Sequence, residues 1–315
     1  MLILALFSAA SFAASHVVSK RGLRGTSVTA GVLIIVASAW VFVTIPLLAD
    51  PPDSVSMNAV ALFAVSGLFA PAIARSAALA GVKALGPSVS VPIQQGLRPV
   101  IVLPLAALAL GETFGPLRVL GVLAIVAGGW TLSRERGVAA SDGALDALVM
   151  ETDSTASGSS TRTDVRKGAT AVTRGYRRGV VYPVVAAFAY STSDLLVKSG
   201  LDGSSETSYG PPVSIGTGLL LWAIAHLLPS VRRRFEVGRD VGWLVLSGAL
   251  MGSAILFLFH ALDRADVSLV APLVATQPLF VLLLSALILR HLERRERSTV
   301  LASLVVVGGT ILVSL

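Results

Sequence analysis

Residues 9–23, AASFAASHVVSKRGL, return as residues 187–201, AFAYSTSDLLVKSGL, in the second half of the chain. The two stretches align without a gap, at a constant offset of 178 residues. They share an alanine, a serine, a lysine, a glycine and a leucine at matching positions, and His16 falls on Asp194. This similarity predicts one structural unit that is used twice.

Further matches follow in the same order along both halves, at offsets between 178 and 181 residues. They are Ser66-Gly67 with Ser247-Gly248, Lys83-Ala84 with Arg264-Ala265, Pro99 with Pro278, Glu112 with Glu293, and Val119-Leu120 with Val300-Leu301. The repeated unit is therefore expected to occupy residues 1–132 and again residues 179–315.

The composition of the chain indicates a membrane protein. Of its 315 residues, 54% are hydrophobic and only 14% are charged, against about 25% charged in soluble domains. The mean hydropathy is +0.80 and the net charge is +7, with lysine and arginine in short clusters between apolar runs. These values exclude a disordered chain, a nucleic-acid-binding module and an ordinary cytosolic enzyme. The chain has no cysteine, so disulfides and thiolate metal sites are excluded as well.

Ten apolar runs approach or reach the roughly 20 residues that a membrane-spanning helix needs. They cover residues 2–18, 28–48, 58–79, 86–110, 117–132, 179–197, 211–228, 241–262, 268–289 and 299–315. The segment between the fifth and sixth runs, residues 133–178, is rich in Ser, Thr, Gly, Asp and Arg. Because such a segment cannot bury enough apolar surface to offset its ordering entropy, we expect a mostly disordered linker.

Each predicted repeat holds five spans, and five is an odd number. Two copies of an odd-numbered unit enter the membrane from opposite sides, so a pseudo-two-fold axis in the membrane plane relates them. The predicted fold is an all-α membrane protein with ten transmembrane helices arranged as two inverted five-helix repeats. This arrangement favours transport by alternating access.

The chain resembles the EamA branch of the drug/metabolite transporter superfamily. The most specific stretch is residues 85–133, where a proline-interrupted fourth span leads through Leu110-Gly111-Glu112 into a glycine-rich fifth span. Residues 265–314 form the matching stretch in the second half. The resemblance covers nearly all of the chain outside the linker, and it implies a permease with the ten-span fold.

The sequence lacks the usual motifs for catalysis and nucleotide binding, and this reduces the number of possible functions. The sequence shows no nucleotide-binding loop, paired catalytic carboxylates, metal cluster or nucleophile–base set. We therefore predict a secondary transporter of a small metabolite in the cell membrane, with no enzymatic activity, cofactor or metal. Its partners would be a small-molecule solute and the lipid bilayer, not a nucleic acid, and its oligomeric state stays open. The alternative is a membrane-embedded lipid-handling protein or enzyme, in which Arg98 would hold a lipid phosphate.

Arg98 is the leading candidate for solute binding. It lies near the middle of the fourth span, where a charge costs at least about 2.5 kcal/mol and normally faces a cavity or a partner. Gln94, one helical turn away, shares its face, and Gln95 is adjacent. Arg98 would donate to a carboxylate, phosphate or carbonyl of the solute, or it would be paired inside the protein. The other candidates are its repeat counterpart Gln277 and, in the sixth span, Tyr190; Pro99 and Pro278 have a structural role.

His16 and Asp194 are candidates for proton coupling. Each is estimated to lie about six residues past the middle of its span, which in inverted halves separates them by roughly 18 Å along the membrane normal. This estimate argues against a direct contact, and spacing makes Lys198 a candidate ion-pair partner for Asp194. Glu112 and Glu293, which precede the fifth and tenth spans, are expected to stabilise helix N-termini.

The distribution of positive charge predicts the orientation in the membrane. Loops on the side of the linker carry 20 of the 25 Lys and Arg residues, so this side should be cytoplasmic and both termini outside. Protease added to intact cells should then leave residues 133–178 uncut, whereas inside-out vesicles should be cleaved there. Cleavage in intact cells would reverse the assignment.

Overall fold

The computed structural model describes residues 2–111, 115–128 except 118 and 125, 162–204, 207–232 and 235–288, together with residues 305, 308, 309 and 312. The described residues form helices, turns and short loops, and none of them belongs to a strand. The predicted structural residues Glu112 and Glu293 lie outside the described residues, as does most of the tenth predicted span.

The helices pack as one bundle. Their bounds are α1, Leu2–Gly22; α2, Val28–Ala49; α3, Met57–Gly67; a π-helical segment, Leu68–Ala74; α4, Arg75–Leu85; α5, Pro87–Leu110; α6, Arg162–Asp202; α7, Gly210–Ala225; α8, Pro229–Arg232; α9, Val241–Asp263; α10, Val267–Val274; and α11, Gln277–Ile288. The α3, π-helical and α4 segments run together as one span, Met57–Leu85.

Seven helical segments in the described part of the chain are long and apolar enough to cross a membrane. They correspond to the first, second, third, fourth, sixth, eighth and ninth predicted spans. The seventh corresponds to α7, which has only 16 residues, and the fifth to the shorter apolar helix Val119–Gly128. Large apolar side chains such as Ile3, Leu48 and Leu108 are exposed on the bundle surface, where lipid would cover them.

Local sequence signals explain where several helices begin and end. Ser27 caps α2 by accepting a hydrogen bond from the Ala30 amide at 3.2 Å. Gly86 has a φ of +81°, which a glycine adopts readily, and Pro87 then begins α5. The boundary between the third and fourth spans therefore lies at this Gly-Pro pair.

The predicted linker overlaps a helix. Because α6 begins at Arg162, the backbone of residues 162–178 is helical and continues into the sixth span. The remainder of the linker, residues 133–161, lies outside the described residues.

Hydrogen bonds gather the loops at two ends of the bundle. At one end, Lys83 Nζ donates to the Thr26 carbonyl at 2.8 Å, and the Ser27 amide donates to the Glu236 carbonyl at 2.9 Å. We call this the basic end, because it also carries Lys20, Arg21, Arg24 and Arg239. At the opposite end, the Ser56 amide donates to the Tyr209 hydroxyl at 3.2 Å. Thus α1 runs towards the basic end, whereas α6 runs away from it.

The same interhelical contacts occur twice, once in each half. Ser15 Oγ donates to the Ser247 carbonyl at 2.9 Å, joining α1 to α9. Ser193 Oγ donates to the Ser66 carbonyl at 3.3 Å, joining α6 to α3. Likewise Gly22 packs against Leu244, and its counterpart Gly200 packs against Phe63. The first helix of each half therefore crosses the third helix of the other half.

The π-helical segment Leu68–Ala74 shifts the register between the halves by one residue. Before it, Ser66 corresponds to Ser247, at an offset of 181. After it, Lys20 Nζ bonds the Val82 carbonyl at 3.1 Å, as Lys198 Nζ bonds the Leu262 carbonyl at 3.1 Å, which gives an offset of 180. A π-turn inserts one residue into a helix, so the shift is its direct consequence. The sequence match of Lys83 with Arg264 has an offset of 181, so these two residues are one position away from being structural counterparts.

We predict that Gly67→Ala destabilises the bundle. A Cβ atom on Gly67 would lie 2.2 Å from the Ser214 carbonyl oxygen, so the α3–α7 contact would have to open. Forced overpacking of this kind costs about 1–3 kcal/mol and should lower the melting temperature in detergent. Gly242→Ala is the matched control, because a Cβ there would meet nothing within 4 Å. Equal melting temperatures for the two variants would contradict the predicted close packing.

Candidate functional site

A cavity lies in the centre of the bundle, among α1, the π-helical segment, α5, α6, α7, α9 and α11. All the predicted solute-binding and proton-coupling residues line it: His16, Gln94, Gln95, Arg98, Tyr190, Asp194 and Gln277. Apolar side chains such as Phe12, Ile255 and Phe259 form most of the remaining wall. An apolar wall with a few convergent polar groups is typical of a small-molecule site.

Arg98 and Asp194 form an ion pair in the cavity wall. The Arg98 guanidinium donates to the Asp194 carboxylate, and the two side chains are only 3% and 6% exposed. Arg98 also donates to Gln95 Oε1 at 3.3 Å, and its guanidinium carbon lies 5.2 Å from the centre of the Tyr190 ring. The interior pairing that the sequence left open for Arg98 is therefore present, while Arg98 still faces the cavity.

The predicted ion pair between Asp194 and Lys198 is wrong. Lys198 Nζ bonds Asp202 at 2.9 Å, one turn further along α6, and Asp194 turns inward to Arg98. The spacing of four residues identifies partners on one helix surface, but it carries no information about a residue on another helix.

Two glutamines join the halves at the cavity. The Gln95 amide donates to Gln277 Oε1, so α5 of the first half is bonded to α11 of the second. Both side chains are buried, as is Gln94. Gln277 begins α11 directly after the break at residues 275–276, and Pro278 follows it, whereas α5 passes Pro99 without interruption.

His16 lines the same cavity as Asp194, although a separation of about 18 Å was expected. The helix bounds explain the difference. Within the spans Leu2–Gly22 and Gly179–Asp202, each residue lies only about four positions past the middle, which reduces the estimated separation to roughly 11 Å. His16 is buried, and its Nδ1 has no hydrogen-bond partner among the described residues.

Two structural features in or near the cavity have little or no sequence signal. One is the π-helical segment, whose Ala70 and Pro71 line the cavity; Pro71 is a signal for a helix irregularity. The other is Arg75, which is completely buried at the start of α4. Its position inside an apolar run marks it as unusual, but nothing in the sequence indicates its surroundings.

The side chains that line the cavity can recognise polar groups of a solute. The described residues contain no group of three or more His, Asp or Glu side chains that could hold a metal ion. Arg98 and the glutamines supply hydrogen-bond donors to a solute oxygen, and Asp194 supplies an acceptor.

We predict that Asp194→Asn strongly destabilises the protein, because it leaves the Arg98 charge buried without its counter-ion. Removing one partner of a buried pair costs about 3–5 kcal/mol, which should be visible as a lower melting temperature in detergent. The double variant Arg98→Met/Asp194→Leu should recover most of the loss. Asp202→Asn, on the same helix but half-exposed, is the control and should change little. Equal effects of Asp194→Asn and Asp202→Asn would contradict a structural ion pair.

Comparison with known proteins agrees with this architecture. No curated protein matches the chain. Twenty-two chains of solved structures match; one, titled only as the crystal structure of a protein, is 18% identical, covers 98% of each chain and has a TM-score of 0.64, which shows a shared fold. The model of the EamA-like transporter family matches residues 1–134 and 177–315, one segment in each half. The chain is thus a multi-pass membrane protein that belongs to the EamA-like transporter family.

Proposed function

We propose that this chain is a secondary transporter that moves a small solute across the cell membrane by alternating access. The observation that carries the proposal is the central cavity, whose polar wall is shared between the two halves through Arg98–Asp194 and Gln95–Gln277. A site at the junction of two repeats can be reached from either side when the halves rock against each other.

The proposal includes two inverted five-helix repeats, residues 1–132 and 179–315, joined by the segment 133–178. Its support is the recurrence of the α1–α9 contact at Ser15 and Ser247 as the α6–α3 contact at Ser193 and Ser66. The α1–α9 contact lies towards the basic end and the α6–α3 contact lies towards the opposite end, because α1 and α6 run in opposite directions. The break between α10 and α11 beside Gln277 is also typical of transporters, in which interrupted helices meet the solute.

In the proposed site, Arg98 donates to a carboxylate, phosphate or carbonyl oxygen of the solute. Gln94, Gln95 and Gln277 supply neutral donors and acceptors, and the Tyr190 ring closes one side of the site. A solute anion would compete with Asp194 for the Arg98 guanidinium. Protonation of Asp194 would release Arg98 for the solute, which is how a proton gradient could drive transport; His16 is the second candidate for this coupling.

The basic end is proposed to face the cytoplasm, with both termini outside. Its exposed Arg24 and Lys83, like Arg239, would then lie on the side where positive loops are retained. The opposite end carries Asp50, Asp53, Asp202 and Asp263 near its loops.

Ligand-induced stabilisation of purified protein tests the site. A panel of small carboxylates, phosphates, amino acids and amides should contain compounds that raise the melting temperature of the unaltered protein. Arg98→Ala should abolish that rise, Arg98→Lys should restore only part of it, since lysine lacks the planar guanidinium fork, and Gln277→Ala should weaken it mildly. Arg264→Ala, an exposed arginine outside the cavity, is the control. Unchanged affinity in well-folded Arg98→Ala protein would remove Arg98 from the site.

A further inference from the structure

Arg75 is a buried cation that the site described above does not use. Its side chain is fully enclosed, and Nη2 donates to Ser15 Oγ at 2.8 Å and to Ser247 Oγ at 3.2 Å. Its Nε and Nη1 have no hydrogen-bond partner, and no acidic side chain pairs with it among the described residues. Tyr190, which lines the cavity, lies next to Arg75. Two free donors on a buried guanidinium are costly, and such groups in membrane proteins normally serve a ligand or a pathway.

The repeat register identifies the counterpart of Arg75. After the π-helical segment the offset between the halves is 180, as the bonds from Lys20 and Lys198 show. The packing of Gly31 against Leu79, repeated by Gly210 against Phe259, gives the same offset. Arg75 therefore corresponds to Ile255.

Ile255 lines the cavity, and so does Leu258, the counterpart of Ala78. The cavity wall at these positions lies between the centre of the bundle and the opposite end, since α9 runs from the basic end at Val241 to the opposite end at Asp263. If the two repeats exchange conformations, the wall formed here by α9 is formed in the other state by α4. Arg75 then faces a cavity on the side of the basic end.

We propose that Arg75 is a second solute-binding residue, which contacts the solute when the cavity opens towards the basic end, and that the solute carries an anionic group such as a carboxylate or phosphate. The inference rests on the alternating access proposed above and adds the substrate class. Its chemical basis is the charge balance of the centre: in the part of the chain that the structure describes, two arginines, Arg75 and Arg98, and one carboxylate, Asp194, are buried. An anionic solute supplies the missing negative charge and can accept hydrogen bonds from the free Nε and Nη1 of Arg75.

Thiol labelling tests this proposal, because the chain contains no cysteine of its own. The reporter is Ala78→Cys, one helical turn beyond Arg75 and almost fully buried in the structure. Two membrane-impermeant reagents of similar size are applied to the basic-end face of membrane vesicles: sulfonatoethyl methanethiosulfonate, which is anionic, and trimethylammonioethyl methanethiosulfonate, which is cationic.

We expect modification of Ala78→Cys from the basic end, with the anionic reagent reacting about tenfold faster than the cationic one relative to their rates with a free thiol. The preference should disappear in Arg75→Gln and persist in Arg75→Lys, which keeps the charge. If the anionic and cationic reagents modify Ala78→Cys at equal relative rates while Arg75 is present, the proposal is wrong. This outcome does not depend on whether an Arg75 variant folds.

Ser19→Cys separates this inference from the transport proposal. Ser19 is buried and corresponds to Val197, a cavity-lining residue, so alternating access alone predicts its modification from the basic end. If Ser19→Cys reacts while Ala78→Cys stays protected, alternating access stands and the role of Arg75 is wrong. If both stay protected from the basic end, the transport mechanism fails and the role of Arg75 fails with it.

Discussion

The ion pair between Arg98 and Asp194 is the interaction around which the centre of this protein is organised. Leaving either charge buried without its partner is costly, so the pair favours the packing of α5 of the first half against α6 of the second. Gln95 donates to Gln277 and accepts from Arg98, which extends the contact to α11. The polar wall of the cavity is therefore also the seam between the halves.

The repeat counterparts of Arg98 and Asp194 cannot form an ion pair, because one of them is a glutamine. By the repeat register, Asp194 corresponds to His16 and Arg98 corresponds to Gln277, and all four residues line the cavity. A duplicated unit has thus kept polar residues at both positions while placing the charges on one side only. Because Arg75 corresponds to an isoleucine, the second buried arginine breaks the symmetry again. In the proposed rocking motion, these differences would allow the two end states to bind a solute differently.

Much of the architecture could be predicted from the sequence because its signals are continuous or repeated. Apolar runs indicate the spans, and the match of residues 9–23 with 187–201 indicates the duplication. A charge and amides in an apolar run also brought Arg98, Gln94 and Gln277 into one candidate site, and the structure brings them to one cavity.

The remaining features depend on tertiary structure. The partner of Asp194 is on another helix, so helical spacing favoured Lys198 instead. The π-turn adds one residue within an apolar run, and the chance similarity of Lys83 and Arg264 conceals the resulting shift of register. Without that shift Arg75 is matched to Leu256, and its relation to the cavity wall at Ile255 is lost.

The central claim is that the two helix crossings open in turn, and distance measurements between paired spin labels test it most directly. One pair, at Arg21 and Gly242, reports the α1–α9 crossing at the basic end; its repeat counterpart, at Ser199 and Ala61, reports the α6–α3 crossing at the opposite end. For each pair, pulsed electron–electron double resonance gives the distribution of distances between the two labels, and from it the fraction of molecules at the longer distance. The account predicts that both pairs show a short and a long distance and that the two long fractions sum to no more than one. A sum above one, or a single distance for both pairs, would contradict it.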